Sequence, residues 1–83
     1  MAGKGRNYQP IGRRKDGAWT NFDEDYFERF GTAKMWVERN ARNLTELYGL
    51  EMIGLDVFDR DKDEFLKMFW EYKDGVWSRN YKD

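Results

Sequence analysis

A chain of 83 residues with neither cysteine nor histidine is expected to form one domain, and it can build no disulfide, no thiolate metal site, no Cys–His pair and no Ser–His–Asp triad. Its 40% hydrophobic and 18% aromatic content sets it apart from disordered compositions and supplies large rings to a core that must be thin at this size. Charge is dense but balanced to −1; no apolar run spans a bilayer and no signal-peptide core is present, so the expectation is a cytoplasmic protein with no membrane partner.

The balance conceals an asymmetry. Residues 1–15 carry Lys4, Arg6, Arg13, Arg14 and Lys15 and no acid, a charge of +5, which leaves −6 for the remainder of a chain whose net charge is −1. Two acidic stretches hold much of that remainder: Asp23, Glu24, Asp25 and Glu28, then Asp56, Asp59, Asp61, Asp63 and Glu64. Residues 1–7 read as a flexible basic N-terminal arm, and residues 8–83 as a single α+β domain. The basic segment either neutralises acidic surface of its own domain or meets an acidic partner.

Residues 8–14 read as a strand, with Pro10 confining it to a sheet edge or a strand start. Lys15-Asp16-Gly17 follows, and Asp-Gly between two extended runs is a hairpin signal because Gly accepts the positive φ of the turn. The phrase Lys15-Asp16-Gly17-Ala18-Trp19-Thr20 returns in kind as Lys73-Asp74-Gly75-Val76-Trp77-Ser78. The flanking residues of the two copies do not match, so this is a reused hairpin tip rather than a duplicated unit.

Tyr26, Phe30, Ala33, Val37, Ala41, Leu44 and Tyr48 recur at spacings of four and three, one face of a helix. Asn21 or Asp23 can cap its start and Gly49 its end. A single helix of that span would be about 40 Å long, more than a domain of this size accommodates. The helical segment is therefore expected to break near Gly31, with Thr32 capping the second part.

Beyond Gly49, Ile53, Leu55 and Val57 alternate with Gly54, Asp56 and Phe58, a strand period. Leu66, Met68, Trp70 and Tyr72 alternate with Lys67, Phe69 and Glu71, and residues 76–81 complete an antiparallel meander. A helix over residues 62–72, capped by Asp61 with Glu64, is the rival for this segment. Helical spacing would spread Phe65, Leu66, Met68, Phe69 and Trp70 around most of the cylinder, which favours strands. The expected fold is α+β: an N-terminal β-hairpin, the broken helical segment and the C-terminal meander, forming one sheet with a helix packed on one face.

The candidate chemistries are few. Ser78, the only serine, has no base nearby in sequence. The carboxylates stand where turns and caps want them. Asp59, Asp61 and Asp63 begin like a calcium loop, but the sixth position is Glu64 rather than Gly and the twelfth is Trp70 rather than an acid. No glycine-rich phosphate loop follows a strand. The expectation is thus no catalytic residue, no cofactor and no metal.

Binding remains. Four Trp in 83 residues are more than a thin core hides, and interface hot spots are enriched in Trp, Tyr and Arg. Arg13, Arg14, Lys15, Trp19, Trp36 and Trp77 are the candidate contact residues for a protein partner. The alternative is a nucleic-acid-binding module in which Arg13, Arg14 and Lys15 of the first hairpin follow phosphates while Trp19 stacks on bases; a pI near 5.5 speaks against it. Residues 76–81 at a sheet edge would also let two copies pair as a homodimer. In make-up the chain resembles small phage and mobile-element accessory proteins, which implies an inhibitor or adaptor occupying the surface of a larger host protein.

Overall fold

The computed structural model describes residues 5–82. The elements in chain order are β1 (Arg6–Arg14), β2 (Trp19–Thr20), α1 (Phe30–Tyr48), β3 (Leu50–Asp59), β4 (Glu64–Lys73) and β5 (Val76–Tyr81). The strands form one antiparallel sheet in the order β2-β1-β3-β4-β5, with α1 on one face. This is the expected α+β architecture, and residues 64–73 are strand rather than helix. Residues 1–4 of the expected basic arm lie outside the described residues, whereas Arg6 and Asn7 are part of β1, in register with Asp59 and Phe58.

The repeated Asp-Gly phrase builds two different turns. Between β4 and β5, Asp74 and Gly75 both take positive φ (51° and 81°) and Lys73 faces Val76, a two-residue hairpin loop whose twist matches the strands. Between β1 and β2 only Gly17 does so (φ 91°). There Arg14 donates to the Ala18 carbonyl and Gly17 donates to the Arg14 carbonyl, each at 2.8 Å, which makes a three-residue loop. The aspartates after β3 also serve a turn: Asp59 Oδ1 accepts from the N–H groups of Asp61 and Lys62.

The helix departs from expectation at its start. It is one unbroken helix that begins at Phe30, so the boundary expected as a break near Gly31 is its N-terminus. Residues 21–29 are not helical: Phe22 and Asp23 have φ of 60° and 56°, and Phe27 exchanges two backbone hydrogen bonds with Tyr8. The reason lies in the rings. A helix would put Phe22 and Tyr26, four apart, on the same side. Here Phe22 packs under α1 while Tyr26 stacks against Phe58 and Phe65 on the far face of the sheet. Neither Asn21, Asp23 nor Thr32 caps the helix; the N-cap is Arg29, with no side-chain bond. The C-terminus is as expected, with Gly49 at φ 65° donating to the Thr45 carbonyl.

Strand alternation sorts the core. Ala33 and Val37 of α1 pack on Leu50, Ile53 and Leu55 of β3, and Tyr8, Trp70, Tyr72 and Trp77 from three other strands surround them. Pro10 is fully buried beside Leu55, so β1 is an inner strand, contrary to the expected edge. The proline is tolerated because the N–H groups of Tyr8 and Arg14 point away from β3, to Phe27 and Ala18, and Pro10 shares their orientation by the two-residue period. Its missing N–H therefore falls in the gap between the Phe27 bridge and two-residue β2, where no ladder bond is lost.

Gly54 marks the tightest approach in the sheet. A Cβ there would lie 1.8 Å from the Trp70 carbonyl oxygen, a backbone atom that cannot rotate aside. Gly54→Ala is expected to lower stability by about 3 kcal/mol, read as a fall in the urea midpoint; a loss under about 0.5 kcal/mol would mean that β3 and β4 can separate locally at little cost.

Candidate binding groove

One helix covers one face of the sheet, and the period of two dictates what the other face carries. From β1 these are Gln9, Ile11 and Arg13, opposite Asp56, Gly54 and Met52 of β3; from β4 they are Phe69 and Glu71, opposite Asp56 and Gly54. Ile11, Met52 and Phe69 form a second, smaller apolar cluster there, each under a tenth exposed. Trp19 pairs with Arg13 in register and so shares this face. Its ring meets Phe69 edge-on at 5.8 Å and lies 5.4 Å from the Arg13 guanidinium carbon. Arg13 is held in turn by Glu51, Nε to Oε1 at 2.8 Å. The Trp19 ring is thereby fixed from two sides, yet remains 49% exposed.

A second group of rings stands across the face. Phe58 and Phe65 pack edge-on at 5.1 Å, and Tyr26, delivered by the loop over the sheet edge, lies within 6.4 Å of both. Lys82 sits 5.4 Å from the Phe65 ring and reaches the Asp56 carboxylate at 2.9 Å. Tyr81 is 69% exposed. Between the two groups runs an open groove of about 850 Å³. Trp19, Phe65 and Tyr81 give it apolar walls, and Gln9, Thr20 and Asn21 give it uncharged polar groups.

The groove combines rings with charges that already have partners. The cations on the groove, Arg13 and Lys82, are each ion-paired, so neither gives the groove an unbalanced charge. Among the described residues no group of three or more carboxylates is placed to hold a metal ion. What the groove offers is apolar area. Covering the exposed half of Trp19, about 100 Å², contributes about 2.5 kcal/mol.

Of the residues singled out from sequence, Arg13 and Trp19 are brought together on the groove. Arg14 at the end of β1 and Lys15 in the turn lie exposed at one end of the hairpin, Arg14 at 3.9 Å from Asp16. Trp36 and Trp77 are on the other side of the sheet. Trp36 packs against Phe22 and Phe27, each at 6.3 Å. Trp77 packs on Tyr72 at 5.0 Å and Phe30 at 6.3 Å, and donates Nε1–H to Glu38 at 2.9 Å. Both rings are half-buried in the body of the domain. Sequence reasoning missed Gln9, Tyr26, Phe65, Tyr81 and Lys82. The alternation Phe65, Lys67, Phe69 carries a signal for Phe65; Tyr26 fits the helical stripe so well that nothing local reveals its true face.

The chain matches no protein-family model, and comparison with curated proteins and with solved structures returns no match.

The two tryptophans should behave oppositely. Trp77→Ala is expected to cost about 2–3 kcal/mol, less than a fully buried Trp because the ring is only partly covered. Trp19→Ala should cost under about 1 kcal/mol. Chemical denaturation of both variants checks this, and equal losses would place Trp19 in the core.

Proposed function

We propose that this chain is a small non-enzymatic binding protein that docks on a larger protein through the helix-free face of its sheet. The observation that carries the reading is the exposed Trp19 ring, fixed by Arg13 and Phe69 at the head of a groove walled by further rings. A rigid aromatic anchor beside an arginine is the make-up of an interface hot spot, and the groove beside it also carries polar groups, Gln9, Thr20 and Asn21, as an interface rim does. Arg13, Trp19, Phe65 and Tyr81 form the contact set; Arg14 and Lys15 extend it at the hairpin end. Trp36 and Trp77 support the fold behind it. An accessory or inhibitory role on a host machine, in the cytoplasm, is the form of this reading that the chain's size and make-up favour.

A nucleic-acid-binding module is the second reading. One feature favours it: cations lie over rings at both ends of the groove, Arg13 on Trp19 and Lys82 on Phe65. Single-stranded ligands are held by such pairs. Against it stand the ion pairs to Glu51 and Asp56, which a phosphate would have to displace.

Affinity capture from lysate, with and without nuclease and at two salt concentrations, separates the two. The protein-binding reading expects one captured protein that survives nuclease and high salt. It also expects Trp19→Ala and Phe65→Ala each to weaken its affinity at least about tenfold, a loss of about 1.4 kcal/mol or more. Capture lost to nuclease, with an affinity that falls steeply as salt rises, makes the groove a nucleic-acid surface instead.

A further inference from the structure

The two edges of the sheet are built differently. On the β2 side the edge is blunted three times over: β2 has two residues, Pro10 is fully buried in β1, and the Tyr8–Phe27 bridge fills the rest. These are devices that stop a sheet from extending. On the other side β5 runs for six residues, with no proline and no shift of register against β4. Its ends carry Val76 and Tyr81, 63% and 69% exposed. The helix packs mainly over β1 and β3 and meets β5 through Trp77, while the outer backbone edge of β5 has no neighbouring strand.

The orientation of the β5 backbone is fixed. Lys82 donates its N–H to Lys67 of β4 at 2.6 Å, so by the period of two the even residues of β5 bond inward. The N–H and C=O groups of Trp77, Arg79 and Tyr81 then face out. A two-fold axis normal to the sheet keeps each copy's helix on the same side, and it can be centred on Ser78. Trp77 of one copy then exchanges both backbone bonds with Arg79 of the other, and the two Ser78 residues face each other across the axis.

This register is complementary in charge as well. Glu38 of α1 accepts from Trp77 Nε1–H and forms no ion pair among the described residues. Arg79, which lies 6.0 Å from the Trp70 ring, forms none either. Pairing about Ser78 sets each Arg79 beside the Trp77 ring and the Glu38 carboxylate of the other copy, twice by symmetry. Pairing about Arg79 would instead place two like charges face to face, which strands avoid.

We infer that β5 is a self-association edge: two copies of this chain pair antiparallel about Ser78 to give a continuous ten-stranded sheet, joined by Arg79–Glu38 contacts. Arg13 and Trp19 at the head of the groove stay open, because they lie on β1 and β2 at the opposite side of the sheet.

The test uses the full chain, whose lack of cysteine gives a clean background. Light scattering should show the mass rising from one chain to two with a dissociation constant on the order of 10–100 µM, weak because a six-residue edge buries little surface. Arg79→Glu should abolish the rise, and Arg79→Glu with Glu38→Arg should restore it. Single-cysteine variants read the register. Facing Ser78→Cys residues would stand about 4.5 Å apart at Cα, within disulfide reach, while Arg79→Cys residues would be roughly 8 Å apart, beyond it. In a glutathione buffer Ser78→Cys should then cross-link at least about tenfold faster than exposed Asn43→Cys, since pairing raises the local thiol concentration, and Arg79→Cys, which also removes the proposed ion pair, should stay slow. A chain that stays monomeric to about 1 mM, with all three thiols equally slow, overturns the inference. Faster cross-linking through Arg79→Cys overturns the Ser78 register, and a dimer indifferent to Arg79→Glu overturns the ion pair.

Discussion

Five strands present two faces, and a single helix of 19 residues can cover only one. That constraint organises the rest of the molecule. The covered face takes the aliphatic core, Val37 and Ala33 against Leu50, Ile53 and Leu55. The other face must limit its apolar exposure with side chains alone. It does so by laying Trp19 over Phe69 and by clustering Tyr26, Phe58 and Phe65. Rings used this way shield the thin cluster of Ile11, Met52 and Phe69, but their own outer surfaces stay wet. The groove thus arises from stabilising a one-helix sheet, and the same rings that protect the fold are the ones available to a partner.

The loop at residues 21–29 makes this possible. It crosses the β1 edge and sends rings to both faces: Phe22 and Phe27 towards the helix, Tyr26 towards the groove. The crossing forces Phe22 and Asp23 into positive φ, a cost on the order of 1–2 kcal/mol per residue. Several contacts offset it. Asn21 Oδ1 accepts from the Asp23 N–H, Thr20 Oγ1 accepts from the Phe22 N–H, and the Phe22 ring meets Tyr48 and Trp36. Gly12 is bare for the same reason, since a Cβ there would come 2.7 Å from the Phe22 ring. Sheet, loop and helix are locked together by one ring inserted between them.

This loop also marks where the sequence stops being legible. The alternations at 53–58 and 66–72, the Asp-Gly turns and the Gly49 stop are local signals, enforced by neighbours in the chain, and each has its expected counterpart in the fold. The start of the helix is not such a signal. Tyr26 and Phe30 continue the stripe of Ala33 and Val37 at the right spacing, so periodicity alone extends the helix through them. Only the competition for two sheet faces pulls Tyr26 away. Pro10 misleads in the same manner: its chemistry demands one unpaired side, not an outer strand, and a two-residue β2 supplies that side within the sheet. Trp36 and Trp77 look free because they stand off the main apolar pattern. What buries them is remote in sequence, the crossing loop for Trp36 and the helix N-terminal half for Trp77. Half of the proposed contact set was readable for the complementary reason: Arg13 and Trp19 are neighbours across a hairpin that the sequence itself announces.

The split of charge along the chain has a similar resolution. Residues 1–15 concentrate cations and the rest concentrates acids, which in an extended chain reads as a polyanion-seeking arm. Folding interleaves them. Arg6 stands in register with Asp59, Arg13 is bound to Glu51 and Arg14 lies near Asp16; at the other terminus Lys82 is bound to Asp56. Antiparallel pairing of β1 with β3 sets Arg6 and Arg13 of the first strand beside Asp59 and Glu51 of the third. Exposed pairs of this kind are each worth under about 1 kcal/mol, and a slipped register would part Arg6 from Asp59 and Arg13 from Glu51. On the proposed docking reading, with the groove cations Arg13 and Lys82 paired to acids, recognition rests on ring burial and shape. Its strength is then set by how completely a partner covers Trp19, and salt has little to weaken.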